Sequence, residues 1–204
     1  MITPLDHVSG RALSLPESDI DTDVIYPARF LLITEKRGLG RYAFYDRRGP
    51  EFGIDLDTGA PFLVAGANFG CGSSREHAVW ALAGIGIRVV IAPSFGEIFE
   101  GNCYNNGILP LIQPAELVAA LHQAAAAGVI FDLDLRASEL RVASLGRFSF
   151  VIDQDRREAL LNGWDEIGRI RALHREDIAR FEVQQRRSAP WLWVDEEAVA
   201  PIRA

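Results

Sequence analysis

The chain has 204 residues, of which 49% are hydrophobic, and this is enough to form one sizeable packed domain. Its 21 lysines and arginines against 28 aspartates and glutamates give a net charge of −7. An acidic chain is a poor candidate for binding nucleic acid, because that affinity comes mainly from neutralising phosphates. No run reaches the roughly 18 apolar residues of a membrane span, and residues 1–10 lack the features of a signal peptide. We therefore expect a cytoplasmic protein that binds neither nucleic acid nor membrane.

Short apolar runs and longer helical segments alternate along most of the chain, which predicts an α/β fold. The predicted strands are residues 61–65, 88–92, 107–112, 129–135, 140–143 and 147–152. The predicted helices are residues 76–85, 98–106, 114–127, 156–162 and 172–185. Residues 190–204 are expected to form an exposed tail, and their Trp-Leu-Trp run suggests docking onto another surface.

A glycine-rich turn at residues 67–75 precedes the helix predicted to begin at Glu76. Gly70 and Gly72 allow the backbone to turn tightly and to approach a ligand without a Cβ in the way. The turn follows the strand predicted at 61–65, so it lies at the carboxyl end of a strand. Ligand sites in open α/β sheets favour that position.

The last residues of this turn have the chemistry to hold a small carboxylate. Ser73 or Ser74 can cap the helix, whose free N–H groups favour an anion. The planar guanidinium of Arg75 suits a carboxylate bidentately. The alternative interpretation is a turn that only caps the helix.

The string Gly-Cys-Gly-Ser-Ser-Arg-Glu-His at residues 70–77 resembles the serine loop of the aconitase superfamily, in the form found in small subunits of 3-isopropylmalate dehydratase. Two further segments resemble the same family in the same order. The first is Asp-Ile-Asp-Thr-Asp-Val-Ile-Tyr-Pro with Phe-Leu, at 19–31, and the second runs from 92 to 110. The likeness continues more loosely to about residue 168. It implies a swivelling β/β/α domain of the aconitase type over residues 1–168, followed by a C-terminal helix and tail over 169–204.

The resemblance implies a hydro-lyase that interconverts 2-isopropylmalate and 3-isopropylmalate by dehydration and rehydration in leucine biosynthesis. It implies that Ser73 is the catalytic base and that Ser74 and Arg75 hold a substrate carboxylate. Asp23 stands where the family has an acidic residue beside the site, where it could orient Arg75 or the substrate. The alternative for Asp23 is a carboxylate that only shapes its turn.

Within the family, substrate choice depends on the stretch that corresponds here to residues 32–40, which we name the specificity segment. Leu31, immediately before it, and Leu32 and Ile33 at its start offer apolar surface for an isopropyl group. These three residues would then bind the side group of the substrate. The alternative is that they belong to the core.

The chain has only two cysteines, Cys71 and Cys103, and no Cys-x-x-Cys spacing. Two thiolates cannot supply the usual three or four ligands of an iron–sulfur cluster. The resemblance therefore implies no cofactor in this chain and a 4Fe-4S cluster on a large partner subunit, where it acts as a Lewis acid on the departing hydroxyl. Cys71 is expected to be a packing residue, with an oxidation-sensitive thiol as the alternative.

Three other functions stay open from the sequence. The chain could be the small subunit of a related alkylmalate hydro-lyase that acts on methylmalate or dimethylmalate. It could be a non-catalytic interaction protein with the swivel fold, although the intact Ser73-Ser74-Arg75 trio argues against this. A nucleic-acid-binding relative is disfavoured by the net charge of −7.

Overall fold

The structure, a computed structural model, describes residues 2–33, 35–49, 52, 55–72 and 75–193. The chain divides into two compact units, residues 1–165 and 166–204. No described helix is long and apolar enough to cross a membrane. The division into a domain of 1–168 and a C-terminal segment of 169–204 stays a prediction.

All described strands belong to the first unit: β1 His7–Gly10, β2 Ala12–Leu15, β3 Phe62–Ala65, β4 Val89–Ala92, β5 Leu109–Ile112, β6 Phe131–Asp134, β7 Glu139–Val142 and β8 Gly146–Ser149. Its helices are α1 Thr22–Ile25, α2 Glu76–Gly84, α3 Glu97–Asn105, α4 Ala115–Ala126 and α5 Gln154–Asn162. Short 3-10 helices at Ala28–Phe30, Leu39–Tyr42, Tyr45–Arg47 and Leu56–Thr58 lie between α1 and β3. The second unit has α6 Glu166–Leu173, α7 Arg175–Ser188 and a 3-10 turn at Pro190–Leu192.

Strands β2, β3, β4 and β5 form a parallel sheet in that order. Strands β3 and β4 are apolar and buried at every position, as expected for a sheet covered on both faces. Successive side chains point to opposite faces of a strand, so β3 contributes to two cores. Leu63 and Ala65 pack into one core, and Phe62 and Val64 pack into the other.

Two layers cover the parallel sheet. On one face, the core contains apolar residues of α2 and of the segment between α1 and β3, such as Leu82 and Phe44. On the other face, α4 and a second sheet provide the cover, including Leu121 and Leu140. The second sheet is antiparallel, with the strand order β1-β6-β7-β8. The parallel sheet is therefore the middle layer, and its ends are free to carry loops.

The elements predicted from residue 61 to residue 162 are all present, with their ends shifted by at most a few residues. The helix predicted at 172–185 corresponds to α7. The sequence interpretation missed β1, β2, α1 and α6. Residues 194–204 of the predicted tail lie outside the described residues.

The end of β3 packs tightly against the chain that follows β2. Gly66 donates its N–H to the carbonyl oxygen of Leu15 at 3.0 Å. A Cβ on Gly66 would lie 2.2 Å from the carbonyl oxygen of Glu17, which is a backbone atom. The carboxyl ends of β2 and β3 can therefore lie this close only when residue 66 has no side chain.

We expect Gly66→Ala to lower the free energy of unfolding by about 1–3 kcal/mol, because the backbone must shift to admit the methyl group. Urea denaturation measures this change. Gly101→Ala in α3 is the control: a Cβ there meets nothing within 4 Å. Alanine is also the better helix former, so this variant should gain roughly 0.5–1 kcal/mol. Equal stabilities for Gly66→Ala and the wild type would contradict the close packing.

Candidate carboxylate site

Three loops meet at the carboxyl edge of the parallel sheet, after β2, β3 and β4. The loop after β3 lies between the other two and is bonded to both. The N–H of Gly70 donates to the carbonyl of Ile20 at 2.7 Å, and the N–H of Phe69 donates to the carbonyl of Ser94 at 3.1 Å. Gly96 donates back to the carbonyl of Phe69 at 3.0 Å. Because parallel strands end on the same edge, the sheet brings together the three segments that carry the family resemblance.

Two glycines of the central loop adopt a backbone conformation that other residues avoid. Gly70 and Gly72 have φ angles of +73° and +85°. A Cβ on Gly70 would also lie 2.2 Å from Cγ of the Phe99 ring. Glycine is therefore required at position 70 on both counts, and the tight turn predicted from the sequence is present.

Polar residues that the sequence interpretation did not single out hold this loop in place. Asn68 donates from its backbone N–H to the hydroxyl of Ser94 at 2.8 Å and from its amide to the carboxylate of Asp19 at 2.7 Å. Asn68 and Asp19 themselves have positive φ angles, of 55° and 58°. Asn and Asp are enriched in that conformation, and this is the signal that could have marked them as turn residues.

Helix α1 follows the loop after β2 and is bonded to the glycine loop. The carboxylate of Asp21 caps it by accepting from the N–H of Val24 at 2.7 Å. The N–H of Thr22 donates to the carbonyl of Cys71 at 3.1 Å. These two bonds fix the first turn of α1, so Asp23 has a defined position beside the glycine loop.

Asp23 and Arg75 form an ion pair across the two loops, with Nη1 of Arg75 donating to Oδ1 of Asp23. The side chain of Asp23 is 51% exposed and that of Arg75 is 28% exposed. Within the described part of the chain, the guanidinium makes only this side-chain hydrogen bond. None of its other N–H donors has a side-chain partner among the described residues, and their fork geometry suits a carboxylate.

The cap of α2 differs from the prediction. Arg75 occupies the N-cap position, with an extended backbone and no side-chain cap hydrogen bond. The prediction that Ser73 or Ser74 would cap α2 was wrong. Because α2 begins at Glu76, its N-cap position is residue 75. Ser73 and Ser74 lie outside the described residues, so their roles as base and carboxylate ligand stay predictions.

The three residues predicted to bind the substrate's side group have different environments. Leu31 and Ile33 are partly buried and pack against the core. Leu32 is 93% exposed. Leu31 and Ile33 therefore fit the alternative that these residues belong to the core, whereas Leu32 does not. Of the three, only Leu32 offers a fully accessible apolar surface.

Aromatic contacts hold the chain after α1 against α2. The hydroxyl of Tyr26 donates to the carbonyl of Phe30 at 3.0 Å. The ring of Tyr26 lies 5.5 Å from that of His77, which lies 4.6 Å from the ring of Trp80, measured between centroids. Nε2 of His77 is buried and has no hydrogen-bond partner among the described residues. His77 therefore serves mainly as a packing ring, two residues after Arg75.

The surroundings of both cysteines raise the pKa of the thiol. Burial raises the pKa of Cys71 above its ordinary value, and the carboxylates of Asp21 and Asp19 raise it further. Cys103 is completely buried in α3, and burial raises its pKa well above the ordinary value. Across the described residues, no three His, Cys, Asp or Glu side chains lie close enough together to hold a metal ion. Two cysteines supply fewer ligands than the three or four thiolates that usually hold an iron–sulfur cluster.

Comparison with known proteins gives a family for this architecture. Residues 54–116 match the family described as the aconitase C-terminal domain. The 3-isopropylmalate dehydratase small subunit of Novosphingobium aromaticivorans is 43% identical over 201 residues, covering 97% of this chain and 98% of that protein. The corresponding subunit of Paramagnetospirillum magneticum is 44% identical over 197 residues, covering 91% of this chain and 97% of that protein.

A solved structure agrees with these relatives. The crystal structure of 3-isopropylmalate dehydratase from Methanocaldococcus jannaschii matches with a TM-score of 0.65 and 28% identity, over 86% of this chain and 99% of that chain. The likeness confirms the predicted α/β fold of the aconitase swivel type. The chain belongs to the family of 3-isopropylmalate dehydratase small subunits.

Proposed function

We propose that this chain is the small subunit of a 3-isopropylmalate dehydratase. The enzyme would interconvert 2-isopropylmalate and 3-isopropylmalate by removing water and adding it back across the same two carbons. The observation that carries the proposal is the Arg75–Asp23 pair at the start of α2. It lies beside the Ser73-Ser74 loop in a chain that is 43% identical to a named small subunit over 97% of its length.

Arg75 is the residue proposed to bind a carboxylate of the substrate. Its guanidinium bonds to Asp23 through Nη1, so the other N–H donors would be left for the ligand. The first N–H groups of α2 lie next to it, and their partial positive charge favours an anion at the same place. Ser74 would add a hydroxyl donor to the second oxygen of that carboxylate.

Ser73 is the proposed base that takes a proton from the carbon next to a carboxylate. A serine hydroxyl is a very weak acid, so it can act as a base at neutral pH only where the local field stabilises its alkoxide. The helix N-terminus and the guanidinium of Arg75 are the groups that provide positive potential at this loop. The proton taken by Ser73 would be the one returned when water adds back.

The relatives' names, as small subunits, imply a large subunit as partner. We propose that the large subunit carries a 4Fe-4S cluster, which when bound supplies Lewis-acid chemistry at the departing hydroxyl. The two cysteines of this chain are fewer than the three or four thiolates that usually hold such a cluster. We also propose a cytoplasmic location, since two unpaired cysteines are typical of a reducing compartment.

The other functions considered from the sequence are not favoured. Seven relatives at 42–44% identity are named as small subunits of 3-isopropylmalate dehydratase, which favours this substrate over methylmalate or dimethylmalate. The intact Ser73-Ser74-Arg75 trio argues against a non-catalytic interaction protein. The main question for experiment is therefore which side group the substrate carries.

The proposal predicts that activity appears only in a complex. The chain purified alone should be colourless and inactive, and it should stay so after incubation with iron and sulfide. Co-expression with the large subunit from the same organism should give a brown complex that converts 2-isopropylmalate. Absorbance and a coupled substrate assay measure both outcomes. A stable cluster in the isolated chain would contradict the proposed division of roles.

The matched variant of that complex is Ser73→Ala. It removes the hydroxyl and leaves the glycines of the loop in place, so the two subunits should still co-purify. Turnover should fall roughly 10²-fold or more, as for the loss of a general base. Near-normal kcat in this variant would show that Ser73 is not the base.

Arg75→Lys is expected to be nearly as damaging as Arg75→Ala, because an ammonium cannot reproduce the fork. Loss of one charge-assisted contact predicts a fall in kcat/KM of about 10- to 100-fold for every diacid tested. Arg136→Lys is the control, since Arg136 forms a comparable ion pair with Asp6 at 2.8 Å in a turn of the antiparallel sheet. Full activity in Arg75→Lys would show that Arg75 contributes only its positive charge and not a bidentate contact.

Leu32→Ser is expected to weaken the preference for isopropylmalate over methylmalate. An isopropyl group buries two more carbons than a methyl group, at about 0.8 kcal/mol each, so the preference can reach roughly tenfold. Leu32 is 93% exposed, so its substitution should leave folding unchanged. Val151→Ser, at a position that is 100% exposed, is the control. The measurement is the ratio of the kcat/KM values for the two substrates. An unchanged ratio in Leu32→Ser would show that Leu32 does not contribute to specificity.

A further inference from the structure

A hydrogen-bond network outside the carboxylate site centres on Asn106, the residue that follows α3. Its Oδ1 accepts from the indole N–H of Trp80 at 3.0 Å and from Nζ of Lys36 at 3.4 Å. Its Nδ2 donates to Oε1 of Glu76 at 2.8 Å and to the carbonyl of Asn102 at 2.9 Å. The side chain therefore makes four contacts with three different parts of the chain.

The amide of Asn106 uses its full hydrogen-bonding capacity, which is two donors and two acceptor lone pairs. Its orientation is also determined by its partners. In the flipped orientation, the NH₂ group would face two donors, and the oxygen would face the carboxylate of Glu76 and a carbonyl. No other side chain of this size offers two donors and two acceptors, so the network requires an amide at position 106.

The network joins the specificity segment to the start of α2. Glu76 is the first residue of α2 and directly follows Arg75, and Trp80 lies one turn further along the same helix. Lys36 belongs to the specificity segment, and its Nζ also lies 4.5 Å from the centroid of the Trp80 ring. Asn106 and Trp80 thus hold Lys36 from two sides, by a hydrogen bond and by a cation–π contact.

The other end of the same stretch of chain is also attached to α2. Tyr26 binds the carbonyl of Phe30 and packs against His77, as described above. The residues between these two attachments include Leu32, the exposed candidate for the specificity site. Their position relative to Arg75 is therefore set at one end by Tyr26 and at the other by Asn106.

We infer that Asn106 is a positioning residue for specificity. It fixes the distance between the specificity segment and Arg75, the residue proposed to bind the substrate carboxylate. This inference rests on the proposed function of Arg75. Asn106 acts through Lys36 and Glu76 and is not assigned a contact with substrate. A cleft of about 440 Å³ beside the network is lined by both Lys36 and Trp80. Among the described residues, Asn106 and the Trp80 ring hold Lys36, which otherwise lines this open cleft. Losing Asn106 should therefore leave only the cation–π contact to hold Lys36.

The first test uses Asn106→Ala, with Asn105→Ala as the matched control, since Asn105 is exposed and is not a partner in the network. Hydrogen exchange on the isolated chain should become faster in two places in Asn106→Ala, the specificity segment and the first turn of α2. Asn105→Ala should exchange like the wild type. Unchanged exchange in either place overturns the inference, whatever the activity of the complex.

The second test measures activity in the complex with the large subunit. Asn106→Ala should lose roughly 10- to 100-fold in kcat/KM for isopropylmalate, and it should lose less for methylmalate. A merely structural role would lower the melting temperature and leave the ratio of the two values unchanged. That result, or an equal loss in Asn105→Ala, would overturn the inference. A wild-type complex that does not convert isopropylmalate would refute the proposed function instead, and hydrogen exchange would then decide on the network.

An exchange of donor and acceptor gives the sharpest control. Asn106→Asp keeps the acceptor for Trp80 and Lys36 but places a carboxylate against Glu76. Adding Glu76→Gln supplies an amide donor from the other side, so the bond between the two positions forms again with its direction reversed. The double variant should recover at least about tenfold of the kcat/KM lost in Asn106→Asp. Additive losses in the double variant would show that the two residues do not act as a pair.

Discussion

The parallel pairing of β2, β3 and β4 is the constraint on which the site depends. It places the starts of three loops on one edge, and backbone hydrogen bonds from Phe69 and Gly70 then attach the middle loop to its neighbours on both sides. These bonds need close approach of the backbones, and the glycine at position 70 permits it against the ring of Phe99. The described part of this loop is therefore bonded to both of its neighbours.

The structural residues of this edge and the candidate functional residues differ in how much they contribute to stability. An ion pair as exposed as that of Arg75 with Asp23 contributes only about 0–1 kcal/mol to stability. A Cβ at position 66, by contrast, would meet a backbone oxygen. The glycines therefore hold the architecture, whereas the exposed ion pair is easier to explain by ligand recognition.

Agreement between sequence and structure is best where a strand is buried on both faces. Strands β3 and β4 are continuous apolar runs, so their pattern was unambiguous. Strand β1 alternates only between exposed and half-buried positions and contains Ser and Gly, which left no pattern to find. Helix α1 has four residues and depends on the Asp21 cap and a bond to the loop after β3. Helix α6 has only eight residues, and Gly168 within it lowers the helix propensity of the segment.

The sequence by itself determined the family, the α/β order of elements and the chemistry of the glycine-rich loop, because these depend on residue types at short spacing. The tertiary structure alone decided which residues meet. Asp23 and Arg75 are 52 positions apart, and Lys36 and Asn106 are 70 positions apart. It also separated Leu31 and Ile33, which pack against the core, from the exposed Leu32. Local pattern cannot give such pairings, because they follow from the order of strands in the sheet and from the direction in which each loop leaves it.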